Sequence, residues 1–339
     1  MHLMRKLFLL MPFVLLSFAH TTQQGDLMRT LATFYYNKPV LVTGGCGFIG
    51  SHLAQKLVAL GAKVTILDDL STGSLDNIAS FKDHITFMHA SIIDPITCHD
   101  AVQGQRIIFH QAAYISVPGS VLAPVTCHEV NVNGTFNLLE AARIHGIERF
   151  VYASSASVYG QKEGICSEEN QPAPISPYGA SKLIQEVYAQ QYSRTYGLHT
   201  TGLRYFNVYG PRQNPHAAYS AAIAKFSFQM EHNLPIIIFG DGMQTRDFIY
   251  VDEVVDANLI VAAADPAYTS GAIFNIATGS SVTLLAMIEQ LKHQYPAYHG
   301  SVEFHPARPG DVKHSGADCY KYKQLQQLVL SVHQQEQPT

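Results

Sequence analysis

Three residues have the types and spacing to move a proton and stabilise the charge left behind. Tyr178 and Lys182 stand four apart in YGASK, so on a helix both side chains project from one face. A phenol with an ordinary pKa of about 10 is a poor base, but a neighbouring ammonium stabilises the phenolate and draws it toward working pH. Ser155 follows the apolar run from Arg149 to Ser154, which reads as a strand, and its hydroxyl can hydrogen-bond a substrate oxygen where charge develops. Alone, a Tyr and a Lys at this spacing are ordinary surface residues. The elements upstream change that reading.

Those elements centre on the stretch from Pro39 to Asp69, PVLVTGGCGFIGSHLAQKLVALGAKVTILDD. Val40 to Thr43 predicts a buried strand, Gly44, Gly47 and Gly50 punctuate a turn, and the run through Leu60 predicts an amphipathic helix closed by Gly61. A second strand, Lys63 to Leu67, ends in Asp68 and Asp69. Glycines let a dinucleotide pyrophosphate approach the backbone at a helix N-terminus, and an acid at the tip of the second strand can hold ribose hydroxyls. An acid without a neighbouring arginine favours NAD over NADP, because it repels a 2′-phosphate.

Further strands are expected at Ile85 to His89, Arg106 to His110, Arg149 to Ser154 and His199 to Arg204, with AIFNIAT (Ala272 to Thr278) returning a strand to the sheet. The small Ala112 and Ala113 at the end of the Arg106 strand let the loop lie against the cofactor. One long helix from about Pro124 to His145 turns Asn131, Asn133 and Gly134 toward the ligand side. Alternating β and α elements predict an α/β fold, a Rossmann-type doubly wound parallel sheet, with a smaller C-terminal substrate-binding lobe. The expected divisions are an apolar extension over 1–36, a dinucleotide-binding domain over 37–209 plus about 251–280, a lobe over about 210–250 plus 281–330, and a tail over 331–339.

Charged residues make up 14% of the chain and the formal net charge is -4, so there is no basic field for nucleic acid. Five widely spread cysteines without a CxxC pair suit reduced thiols, and no metal site is expected from the scattered histidines. Arg5 and Lys6 followed by LFLLMPFVLLSFA have the form of a secretory signal, too short for a comfortable membrane span. A cytoplasmic enzyme beginning at Met28 is the expectation, with export or membrane anchoring as the alternative.

In this order, TGGCGFIGSHL, HQAAYISVPGS, SSASVYG, YGASK, RYFNVYGPRQNP, GDGMQTRDFIYVDEVV and RPGDVKHSGAD resemble the extended short-chain dehydrogenase/reductase family, and within it the nucleotide-sugar epimerases, over about Lys38 to Asp318. The resemblance implies Ser155, Tyr178 and Lys182 as the catalytic set. It implies NAD held by Gly44, Gly47, Phe48, Ile49, Gly50, Asp68, Asp69, Ser91, Ile92, Ala112, Ala113, Asn131, Tyr178 and Lys182. It implies a UDP-sugar contacted by Ser116, Ser155, Asn207, Arg246, Arg308, Asp311 and Ser315, with the two arginines on the diphosphate, where a planar fork binds oxygens in pairs. Arg212 reads instead as a surface arginine. A homodimer through the Tyr178 helix and the one before it is also implied.

Family members that dehydrate sugars carry an Asp-Glu pair after the serine, and decarboxylating members a Glu; here Ala156 and Ser157 stand there. The expected reaction is therefore 4-epimerisation: Tyr178 takes the C4 hydroxyl proton as the C4 hydride leaves to NAD, the 4-keto sugar turns, and hydride returns to the other face. A small Ser315 leaves room for an N-acetyl group, which puts UDP-N-acetylhexosamines first and UDP-glucose/galactose second. A non-catalytic NAD-binding sensor, the competing class, has no use for the Tyr-Lys pair or the two arginines. Two departures stand out: Ser91 replaces an acid expected near the adenine, and the tail after Asp318 is short and lacks the usual closing helix.

Overall fold

Val40 and Val42 of β1 (Pro39–Thr43) enter one core and Leu41 the other, and all three are fully buried. A strand with no polar face must be covered on both sides, which only a parallel sheet between two helical layers provides. A computed structural model of the chain describes residues 17–162, 164–214, 222–306 and 313–334. In chain order, α1 (Ser17–Tyr35) precedes β1, followed by α2 (Phe48–Ala59), β2 (Lys63–Asp68), β3 (Ile85–His89), α3 (Pro95–Val102), β4 (Ile107–His110), α4 (Val117–Leu122), α5 (Pro124–His128), α6 (Gly134–Ile144), β5 (Arg149–Ser155), β6 (Ile165–Cys166), α7 (Pro177–Tyr196) and β7 (Thr200–Tyr205). Then come β8 (Asn207–Tyr209), α8 (Ala222–Glu231), β9 (Ile236–Phe239), β10 (Thr245–Tyr250), α9 (Val251–Ala263), α10 (Pro266–Thr269), β11 (Ala272–Ile276), β12 (Ser281–Thr283), α11 (Leu284–Gln294), β13 (Val302–His305), β14 (Gly316–Ala317) and α12 (Tyr320–Gln334).

Seven strands form one parallel sheet in the order β11-β7-β5-β4-β1-β2-β3. The order reverses between β1 and β4, which opens the crevice at the carboxyl ends of the strands where ligands of such sheets bind. On one face α2, α9 and α12 bury Leu53, Leu57, Val254, Leu325 and Val329; on the other α3, α6 and α7 bury Val102, Leu138 and Tyr192. The lobe has its own core, in which Phe226 and Met230 of α8 meet Ile236, Ile238 and Met287. Its β10 pairs in parallel with β8 and antiparallel with β12.

Four expectations change. The tail after Asp318 does form a helix, because Leu325 and Val329, four apart in α12, are buried against the parallel-sheet core. That contact sets α12 apart from the lobe. Of the 1–36 segment, Leu27, Leu31 and Tyr35 of α1 are buried in the same core, and the Tyr35 hydroxyl donates to the Leu259 carbonyl at 2.8 Å. The long helix from Pro124 is α5 and α6 joined by a π turn over Glu129–Asn133. Finally β8, placed at the end of the first domain, joins the lobe sheet. Most of the signal-like segment lies outside the described residues, among which no helix is long and apolar enough to cross a membrane.

Leu31 makes no contact with solvent. Replacing it with alanine should lower the free energy of unfolding by about 3 kcal/mol, read as an earlier urea midpoint at unchanged slope. An unmoved midpoint would show that α1 does not dock in solution.

Candidate active site

The three glycines of the turn do three different things. Gly44 has φ +68°, and a Cβ there would lie 2.6 Å from the Ala112 nitrogen; a Cβ on Gly50 would lie 2.1 Å from the Gly44 carbonyl oxygen. Gly44 thus admits the Ala112 loop and Gly50 admits the packing of α2 on the turn, whereas Gly47 meets only the Gly44 oxygen, at 3.2 Å, and otherwise faces open space. Gly47 is also the N-cap of α2, with no side chain accepting from the first turn. The N–H groups of Phe48 and Ile49 at that uncapped terminus, with the positive end of the helix dipole, fit a pyrophosphate.

Asp68 sits at the tip of β2, buried, with Oδ2 accepting from the Cys46 nitrogen and Oδ1 from the Leu70 nitrogen, both at 2.8 Å. Burial raises its carboxyl above the ordinary value and these bonds oppose the rise. Asp68 therefore braces the glycine turn, while Asp69 beside it is exposed and accepts from the Ser91 hydroxyl at 3.3 Å. Serine at 91 thus serves Asp69. Ile92 is buried, with its carbonyl accepting from the Asn137 amide at 3.1 Å, and Ala112 and Ala113 are half-buried on the loop against the turn. Asn131, in the π turn, is fully engaged: Oδ1 accepts from the Tyr114 nitrogen at 2.7 Å and Nδ2 donates to the Tyr114 carbonyl at 3.1 Å and to Ser181 Oγ at 2.9 Å. Its side chain holds the loop in place from behind.

Ser155, Tyr178 and Lys182 come together at the carboxyl end of β5. The Ser155 hydroxyl stands beside the Tyr178 side chain and favours its charged form. Lys182 is buried, its Nζ donating to the Ala153 carbonyl at 2.8 Å and to Gln185 Oε1 at 3.2 Å, and lies 6.0 Å from the centre of the Tyr178 ring. Burial lowers its pKa to about 8, against the opposing fields of Cys127 and Glu186. The expected pull of this ammonium on the phenol does not appear. Burial raises Tyr178 above its ordinary value, opposed by the Ser155 hydroxyl, while the ammonium is turned to the backbone carbonyl. Ser157 Oγ accepts from Ser155 Oγ at 3.1 Å, and neither it nor Ala156 brings an acid.

The remaining candidates are partly engaged. Ser116 caps α4, its Oγ accepting from the Gly119 nitrogen at 2.9 Å. Asn207 Nδ2 donates to the Asp247 carbonyl at 2.9 Å, and Arg246 Nη1 to the Thr245 carbonyl at 2.9 Å. Ser315 is half-buried and clipped into the lobe by its nitrogen, which donates to the Thr245 carbonyl at 3.1 Å, and by its carbonyl, which accepts from Asp247 at 3.1 Å. Arg308 and Asp311 lie outside the described residues. Arg212, expected on the surface, is half-buried and donates to Ser51 Oγ at 3.2 Å and to Gln55 of α2.

Residues 40–277 match the NAD dependent epimerase/dehydratase family. The chain belongs to that family. NAD is its cofactor. Over 296 residues, 84% of this chain and 91% of the relative, it is 41% identical to the UDP-glucose 4-epimerase of Mycolicibacterium smegmatis. At 34% identity and TM-score 0.80 it resembles the UDP-N-acetylglucosamine 4-epimerase of Methanobrevibacter ruminantium solved with UDP-N-acetylmuramic acid, covering 88% of this chain and 99% of that one. The same figures hold for the UDP-glucose 4-epimerase of Thermotoga maritima with UDP-glucose: 34%, 0.80, 88% and 99%.

In this family member, sequence reasoning misses Glu186, Arg204, Asp247 and His110. Glu186 continues the Tyr178–Lys182 face by one more turn, and that spacing is the signal. Asp247 sits in the quoted TRDF stretch. Its carboxylate is fully buried and accepts from the Thr278 nitrogen and hydroxyl, at 2.9 and 2.7 Å, and from the Gly279 nitrogen at 2.8 Å.

The buried ammonium has a consequence for stability. Lys182 holds its proton to about pH 8 in the folded chain and to 10.5 when unfolded, so the unfolded chain binds more protons between those values. Relative to Lys182→Met, the wild type should gain about 3 kcal/mol of stability as pH rises from 8 to 10.5, measured by urea unfolding at several pH values. A difference independent of pH would mean that burial does not lower the Lys182 pKa, the folded chain keeping that proton as long as the unfolded one does.

Proposed function

We propose that the chain interconverts UDP-N-acetylglucosamine and UDP-N-acetylgalactosamine at C4, with retained NAD, in the cytoplasm. The observation that carries this reading is the convergence of Ser155, Tyr178 and Lys182 at the end of β5, beside the glycine turn. Bound NAD supplies the hydride acceptor and, when oxidised, a positive ring. Ser155 hydrogen-bonds the sugar oxygen, Tyr178 takes and returns the C4 hydroxyl proton, and Lys182, a cation below about pH 8, stands 6.0 Å from the Tyr178 ring. Ala156 and Ser157 supply no acid for elimination, so hydride return is the open route. Asn207 contacts the sugar nucleotide, Arg246 and Arg308 take its diphosphate, Ser116 and Asp311 belong to the same substrate set, and the small side chain at Ser315 leaves space for an acetamido group. UDP-glucose is the second substrate.

We also propose a homodimer through α7 and the α4–α6 run before it. These helices leave Val121, Leu122, Val125, Phe136, Val187 and Tyr188 exposed, a set of apolar residues that a single chain leaves in water.

The test uses the full chain, purified without added NAD and incubated with UDP-N-acetylglucosamine. UDP-N-acetylgalactosamine should appear on chromatography without net NADH. Ser315→Tyr should lower kcat/KM for the acetylated sugar by about tenfold more than for UDP-glucose. No product from either sugar, even with NAD added, overturns the assignment; equal losses in the variant overturn the role of Ser315.

A further inference from the structure

Three consecutive residues of β5 are fastened to three consecutive turns of α7. Ser155 neighbours Tyr178, the Ala153 carbonyl accepts from Lys182 Nζ at 2.8 Å, and Ser154 Oγ donates to Glu186 Oε1 at 2.5 Å. Tyr178, Lys182 and Glu186 recur every fourth residue and lie on one face of the helix. A slip of strand against helix would break all three contacts together.

The third fastening is the most deeply set. Glu186 is 2% exposed and Arg204 3%. Arg204 Nε donates to Glu186 Oε1 at 2.8 Å and Nη2 to Oε2 at 2.7 Å, a two-pronged pair. Arg204 stands opposite Ser154 in the β5–β7 register, so the pair ties the strand beyond β5 into the same joint. Its guanidinium lies 4.7 Å over the Tyr159 ring, whose hydroxyl donates to Asn275 Oδ1 at 2.6 Å. An ion pair taken out of water in this way contributes little net stability, so its presence beside a reacting site calls for another reason.

Resting on the proposed epimerase reading, we propose that Glu186 and Arg204 are positioning residues. Their ion pair locks the β5–α7 register that sets Ser155 against Tyr178, and the Glu186 carboxylate keeps the neighbouring Lys182 a cation. The groups facing Lys182 are few: Cys127 from α5, Tyr178 and Glu186 from its own helix, and His110 from β4, which burial and the lysine charge lower to about 3 and so keep neutral. Of these Glu186 is the carboxylate, and its field opposes the loss of the lysine proton.

Glu186→Gln keeps the shape and the Ser154 contact but removes the charge. In that variant the alkaline limb of the pH profile of kcat/KM should begin about one pH unit lower than in the wild type, and kcat should fall about tenfold while KM for the UDP-sugar stays within about twofold. Glu186→Asp should restore the limb. Because removing one partner strands a buried guanidinium, the double change Glu186→Gln with Arg204→Met provides a variant without that strain, and its limb should move in the same direction. The lysine is also read without catalysis, from the pH at which stability begins to rise relative to the matching Lys182→Met background. That onset should fall in Glu186→Gln. Onsets and limbs coincident with the wild type in both folded variants overturn the proposal. Absence of epimerisation in the wild type would refute the epimerase reading alone, since the stability onset still reports on Glu186.

Discussion

A positive charge inside the protein is the constraint around which this site is arranged. An ammonium stripped of water stays charged only where fixed dipoles replace the solvent. For Lys182 those are one carbonyl, one amide oxygen and the field of Glu186 one turn away. None tolerates displacement, so the start of α7 is fixed with unusual redundancy. Ser176 caps it, its Oγ accepting from the Gly179 nitrogen at 3.0 Å; Pro177 occupies its first turn; and the Tyr178 nitrogen donates to Ser120 Oγ at 3.1 Å. A Cβ on Gly179 would stand 2.6 Å from the Ser157 carbonyl oxygen, so only glycine lets the helix approach the strand end this closely.

The same joint reaches the glycine turn through a chain whose proton positions can be worked out. Thr135 Oγ1 donates to the Asn131 carbonyl at 2.6 Å, so toward His110 Nε2, 2.9 Å away, it can only accept. His110 is then the neutral Nε2–H tautomer, leaving Nδ1 to accept from Thr43 Oγ1 at 2.8 Å. Neutrality is what burial beside the lysine charge enforces. From Thr43 at the glycine turn, through His110 and Thr135 to Asn131 and on to Ser181 of α7, one polar seam ties the glycine turn to the helix of Tyr178 and Lys182. The π turn at Asn131 supplies the carbonyl in its middle.

The strands of the parallel sheet, unlike the short ones of the lobe, were legible in the sequence to within one or two residues at their ends, because a strand buried on both faces is a short continuous apolar run bounded by turn residues. The convergence of Ser155, Tyr178 and Lys182 was legible for a similar reason: helical spacing and strand-end position are local facts. What a polar side chain touches is not local. Nothing in the spacing of Asn131 or Asp68 says that their oxygens already hold backbone nitrogens behind the ligand crevice. The closing helix was hidden by composition, since glutamines and lysines around Leu325 and Val329 obscure an apolar stripe only two residues wide. At the other end, the apolar run before α1 drew attention from Leu31 and Tyr35, which follow it with helical spacing.

The lobe carries one more consequence of burial. Asn207, Arg246 and Ser315 come from three separate stretches of chain, yet each is tied to Asp247 or its immediate neighbour: by the Asn207 amide on its carbonyl, by the peptide bond to Arg246, and by the Ser315 carbonyl on its nitrogen. The Asp247 carboxylate faces the other way and grips the 278–279 turn that leaves β11 of the parallel sheet. A carboxylate fully out of water and holding three donors is costly to disturb. Asn207, Arg246 and Ser315 therefore move together with the end of β11 or not at all. The Ser315 side chain can change in size without loosening Asn207 or Arg246, because its attachment to them is through backbone.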